Sequence, residues 1–167
     1  MDIEKQDCTT DQLLRENEYR VPVGSYGMPH DNETLERNFS LCGVSFMFKG
    51  HRSWRQHRSY VKIDETPGER IMLVKHFNRE TESEANVVEM DKLGYRPANH
   101  VEAYVFAQSH PDLQRRFSIV ALGSSTMFGC RQYVAVLKTN IFDDRVFTVD
   151  CFESMWKAND RFLFVRK

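Results

Sequence analysis

The stretch from Met90 to Ser124, MDKLGYRPANHVEAYVFAQSHPDLQRRFSIVALGS, constrains the fold more than any other part of the chain. Gly94 follows Leu93 and can take the left-handed conformation that closes a helix. Pro97 disfavours the helical region for Arg96, so Tyr95-Arg96-Pro97 is extended. Asn99 with Glu102 three residues on is a capping-box pattern that starts a second helix, with Val101, Tyr104 and Val105 on its apolar face. Pro111 either ends that helix or begins a further short turn, and Phe117 to Leu122 follows as a buried strand.

Upstream, Thr81-Glu82-Ser83-Glu84 is a capping pattern for a helix with Val87, Met90 and Leu93 inward. Before it, Arg70 to Lys75 is a strong strand, and the turn composition at 64–68 joins it to 58–63 as a hairpin. Val44 to Phe48 also reads as a strand, and Val21-Pro22-Val23 as a brief extended element. After the opening stretch the chain turns to β structure. Gln132 to Lys138 and Val146 to Val149 form a hairpin around Asp143-Asp144, and Arg161 to Lys167 is a terminal strand held within a sheet. The expected class is α+β: a polar segment over 1–20, then a single domain over 21–167 with two or three helices followed by a mainly antiparallel sheet.

A chain of 167 residues with 41% hydrophobic and 12% aromatic content can bury a sizeable core. Its net charge of −1 gives no global attraction to nucleic acid or an anionic membrane. No apolar run approaches the ~20 residues of a spanning helix. The acidic, polar start MDIEKQDCTTDQ is unlike a secretory or transit signal, so a cytoplasmic setting is expected. Cys8, Cys42, Cys130 and Cys151 lack zinc-knuckle spacing and read as reduced thiols. The six histidines, at 30, 51, 57, 76, 100 and 110, lack paired metal-ligand spacing. His76 reads as an anchor of a strand–helix turn through a side-chain hydrogen bond. Ser124-Ser125 follows Gly123 without a Gly-x-Ser-x-Gly elbow, and no phosphate-cradling glycine loop occurs. No catalytic residue, cofactor or metal is expected on these grounds.

The motifs His76-Phe77-Asn78-Arg79, Gly94-Tyr95-Arg96-Pro97-Ala98, the run from His110 to Arg115, the run from Ile119 to Ser124 and the terminal RFLFVRK resemble a family of small uncharacterised bacterial proteins. That resemblance covers residues 76–124 and 161–167. Gly94, Tyr95, Arg96 and Pro97, with Arg161, Phe162, Val165 and Arg166, also resemble C-type-lectin-like domains of the formylglycine-generating-enzyme kind. This second resemblance implies a C-terminal half built as a small sheet whose loops, here within 125–160, present a binding surface. Where such relatives carry a tyrosine- and glycine-rich loop and a tryptophan pair, this chain reads TMFGCRQYVAVLKTNIFDDRVFTVDCFESMWKAND. The enzymes of that group hold copper through paired cysteines, for which Cys130 and Cys151 would have to meet across the 132–149 hairpin.

Two expectations of function follow. The first is a non-enzymatic binding module that recognises a protein partner through its C-terminal loops, with Phe142, Phe152 and Trp156 as the contact residues. The alternative is a nucleic-acid-associated factor, or an inhibitor of a nucleic-acid enzyme, using the acid-free segment 49–62. There Lys49, Arg52, Arg55, Arg58 and Lys62 would neutralise phosphates, while Trp54 and Tyr60 would stack on bases. The same segment also reads as a solvated charged loop or as a patch for an acidic protein. The oligomeric state and the identity of the partner are not written in these motifs.

Overall fold

The computed structural model describes residues 17–24, 45–46, 55–56 and 66–167. In chain order the strands and helices are β1 (Glu18–Val23), β2 (Ser45–Phe46), β3 (Arg55–Gln56), β4 (Gly68–His76), α1 (Ser83–Lys92), β5 (Tyr95–Pro97), α2 (His100–Ser109), α3 (Pro111–Arg116), β6 (Ile119–Phe128), β7 (Arg131–Thr139), β8 (Arg145–Cys151) and β9 (Arg161–Arg166). The strands share one sheet in the order β1-β4-β9-β6-β7-β8-β2, with β3 added to β6 and β5 to β9. Pairing is mainly antiparallel, the exceptions being β6 with β9 and β2 with β8. The α+β class and the mainly antiparallel sheet are therefore as the sequence indicates.

The helices are inserted between β4 and β6 and cover opposite faces of the sheet. Val101, Phe106 and Ala107 of α2 join Met72, Ala121, Leu137 and Phe147 in one apolar layer, with Leu113 of α3 at its rim. Val87 and Met90 of α1 join Leu73, Val120, Val136 and Phe164 in the other. Strand side chains alternate between faces, so a strand buried on both sides is apolar almost throughout. β9 shows this directly, with Phe162 to Val165 all buried. The terminal strand lies between β4 and β6, as its sequence suggests.

Several local expectations hold and others change. Gly94 takes φ 82 and ends α1, and Asn99 with Glu102 forms a complete capping box. The capping pattern at Thr81 does not form. Thr81 instead bridges Trp156 through both backbone groups and donates its hydroxyl to Asn86 Oδ1 at 2.7 Å, leaving Glu82 at the N-cap. On α2 the inward residues are Val101, Ala103, Phe106 and Ala107, while Tyr104 and Val105 are half-buried. Leu93 of the α1 face is exposed. The boundary drawn at residue 20 falls inside β1, because Glu18 to Val23 pair along β4. The other edge of β4 is taken by β9, and the 58–63 half of the expected hairpin lies outside the described residues. Among the described residues no helix is long and apolar enough to cross a membrane.

Candidate functional site

The β7–β8 turn presents the most exposed apolar side chains of the described residues, Ile141 at 92% and Phe142 at 77% of full exposure. The turn under them is fixed from several directions. Asn140 Oδ1 accepts the backbone amides of Phe142 at 2.8 Å and Asp144 at 3.0 Å. Asn140 N donates to Asp144 O, and Asp143 N to Asn140 O. Asp143 sits at φ 62, a region that aspartate tolerates better than most side chains. From α3, Arg115 donates to Asp143 O at 2.8 Å and Oδ2 at 3.2 Å. Behind the turn, Gln114 donates to the carbonyls of Lys138 and Val146, and buried Arg145 donates to Ala107 O at the end of α2. A hairpin tip would ordinarily be mobile. This one is tied to two helices.

The three residues that the sequence grouped as a partner surface are not brought together. Phe142 is at the tip, but Phe152 and Trp156 are core residues at 6% and 4% exposure. Trp156 Nε1 donates to Ser83 Oγ at 2.8 Å, Ser83 Oγ donates to Phe152 O at 2.6 Å, and the indole meets the Phe162 ring edge-on. These aromatics close the face beneath α1. Loop composition signalled exposure, but the sheet face needed covering. Beside them a cleft of about 270 Å³ is lined by Glu82, Ser83, Glu84, Phe152, Glu153 and Ser154. Its one buried hydroxyl, Ser83, is committed to the two hydrogen bonds just named.

Of the basic segment, Lys49, Arg52, Trp54, Arg58, Tyr60 and Lys62 lie outside the described residues. The backbone of Arg55 and Gln56 forms β3, paired with Ser125 and Ser124 of β6. That segment thereby meets β6 at its bulge, where the register shifts between Ala121 and Ser125.

The bulge holds an arrangement that local sequence did not disclose. Gly123 N donates to Ala98 O at 2.8 Å, and the Pro97-Ala98 backbone passes where a Gly123 side chain would stand. Ser124 then accepts the His100 amide at 2.8 Å and lies 2.9 Å from His100 Nδ1. A serine beside an imidazole is the pairing nucleophilic catalysis uses. Here the hydroxyl oxygen already serves a helix-terminal amide, and both residues are buried. Its chemistry is that of a helix cap supplied from 24 residues away, which no local pattern encodes.

Elsewhere, His76 Nε2 hydrogen-bonds with Ala158 O at 2.8 Å, so it ties β4 to the loop before β9. Cys151 pairs across the hairpin with Tyr133, three residues from Cys130, an axial offset of roughly 10 Å at strand rise. That offset exceeds disulfide reach and does not make the two thiols a pair. Cys151 Sγ instead donates to Glu153 Oε2 at 2.9 Å. Among the described residues no group of three or more His, Cys, Asp or Glu is placed to hold a metal. Comparison with family models, curated proteins and solved structures gives no match for this chain.

Proposed function

We propose that this chain is a non-enzymatic binding module that recognises a protein partner through the β7–β8 tip, with Ile141 and Phe142 as the anchors. The observation that carries the reading is a large apolar pair held in water on a turn with little freedom. Burying a leucine- or phenylalanine-sized side chain contributes roughly 1.5–3 kcal/mol, and a turn already ordered loses little entropy on docking. Aromatic anchors of this kind dominate binding energy at many interfaces. The C-type-lectin-like resemblance agrees in placing binding in the C-terminal loops. To test the reading, wild type and an Ile141→Ser/Phe142→Ser variant are cross-linked in the native source and the adducts compared. Loss of specific adducts with unchanged thermal unfolding supports the tip. An unchanged adduct pattern removes it.

The second reading keeps the segment 49–62 as a nucleic-acid contact, on the strength of its five cations and absence of acids. It requires RNA or DNA affinity that falls with salt and with charge reversal at Arg52, Arg55 and Arg58. A gel shift without salt dependence counts against it.

A further inference from the structure

The tip shares its end of the sheet with a second feature. Ile119 pairs with Leu137, so Phe117, two residues before Ile119, lies towards the Asn140–Asp144 turn. The Phe117 ring carries two guanidinium groups, Arg161 at 4.4 Å and Arg116 at 5.1 Å from its centroid. Arginine stacked on an aromatic ring keeps its planar donor edge directed outward, in a geometry suited to bidentate anion recognition. Arg20, Arg79, Arg96, Arg115 and Arg166 each meet a carboxylate within the fold. Among the described residues Arg116 and Arg161 meet none. Among the described residues Arg161 gives one bond to Asn159 O, at 2.9 Å, and Arg116 makes its ring contact.

The neighbouring acids do not fill this role. Asp143 is engaged by Arg115, Asp144 accepts from Asn140 Nδ2 at 3.1 Å, and Asp160 accepts from Lys157 N at 2.9 Å. These acids each hold an internal hydrogen bond or ion pair, while half-buried Arg161 and exposed Arg116 form no ion pair among the described residues. Partial burial of Arg161 lowers its pKa, opposed by Asp160, which marks a charge whose lost hydration is incompletely replaced.

We infer that the partner segment docking on Ile141–Phe142 is acidic as well as apolar, placing a carboxylate between Arg116 and Arg161 while an apolar side chain packs on the tip. This inference rests on the tip reading above and adds the chemistry of what it takes. A polyanion is the poorer fit, because Asp143, Asp144 and Asp160 would repel an extended phosphate chain while leaving room for one local carboxylate.

The test uses two capped hexapeptides, one alternating glutamate with leucine and the other lysine with leucine, titrated into the full-length protein at low salt and followed by NMR. The glutamate peptide is expected to shift the Ile141 methyl and the Arg116 and Arg161 Nε–H signals. Arg116→Gln/Arg161→Gln, which keeps hydrogen-bonding side chains at both positions, is expected to weaken it by about tenfold, the loss of one charge-assisted pair. Equal binding of both peptides, or no effect of the double variant while Phe142→Ala abolishes binding, overturns the carboxylate inference and leaves the tip reading standing. Arginine-dependent binding untouched by Phe142→Ala overturns the tip reading. No shift at millimolar glutamate peptide, or tighter and salt-sensitive binding of a short oligothymidylate, also overturns the inference.

Discussion

Ser124 Oγ accepts the backbone amide of His100 at 2.8 Å and stands 2.9 Å from the imidazole Nδ1 of the same residue. One hydroxyl on β6 thus fixes both the start of α2 and the side chain of its first residue. Asn99 and Glu102 satisfy two further amides there, and Glu102 also receives Arg96 through both carboxylate oxygens, at 2.6 and 2.9 Å. The helix start, β5 and the bulge form one hydrogen-bonded unit.

Ser124→Ala should therefore cost about 1–3 kcal/mol, the range for leaving a buried amide unsatisfied. Urea unfolding with an unchanged m-value checks it. A loss below half a kcal/mol would show that another group takes up the amide.

Gly123→Ala should be the more damaging of the two neighbouring changes. The new Cβ would stand 2.5 Å from Pro97 O and 2.6 Å from Ala98 O, both backbone atoms that cannot rotate aside. Overpacking of this kind costs about 1–3 kcal/mol, and the lost Gly123–Ala98 hydrogen bond adds to it. Equilibrium unfolding measures the sum, and near wild-type stability would mean the bulge can move.

Glu102→Gln keeps the shape of a side chain with no exposure but removes the charge facing Arg96. A loss of about 3 kcal/mol is expected, since the partly buried guanidinium loses the Glu102 charge that it meets through both carboxylate oxygens. Thermal unfolding of Arg96→Gln and of the double variant completes the cycle, and additive single effects would show that the pair is not coupled.

Phe142→Ala and Phe152→Ala separate the exposed from the buried aromatic. The first should change stability by under about half a kcal/mol, and the second should cost about 3–5 kcal/mol. Comparable losses for both would mean that the tip belongs to the fold rather than to a partner.

His110 makes stability depend on pH. Its ring stacks on Phe106 at 4.9 Å and meets Tyr19 edge-on at 4.8 Å, and its buried Nδ1 has no hydrogen-bond partner among the described residues. Burial lowers its pKa below the ordinary 6.5, so below that pH the unfolded chain binds more protons than the folded one. The contribution is whole above 6.5 and is lost as pH falls through the depressed folded value. His110→Phe should flatten the fall in stability just below 6.5 relative to wild type. Parallel profiles for the two proteins would refute the assignment.

The legible parts of the fold were those written in neighbouring residues. Gly94 after Leu93, Asn99 with Glu102, and the alternating runs of β7 and β8 each declare their element within a few positions. The Thr81 motif failed for the opposite reason. A backbone bridge to Trp156, 75 residues away, outcompeted a local cap of small free energy. Phe152 and Trp156 are buried where the sequence suggests contacts, because irregular backbone and aromatic composition fit a binding loop and a core plug equally well.

Sequence alone determined that this chain builds α+β structure, where two of its helices end or begin, and that its final strand lies inside a sheet. Those are short-range consequences of φ preference, capping and side-chain alternation. Tertiary structure decided which apolar residues remain in water, because burial depends on what the opposite layer supplies. It covered Phe152 and Trp156 with α1 and left Ile141 and Phe142 uncovered. It also placed Arg116 and Arg161, 45 residues apart in the chain, on one Phe117 ring, where sequence spacing could not place them.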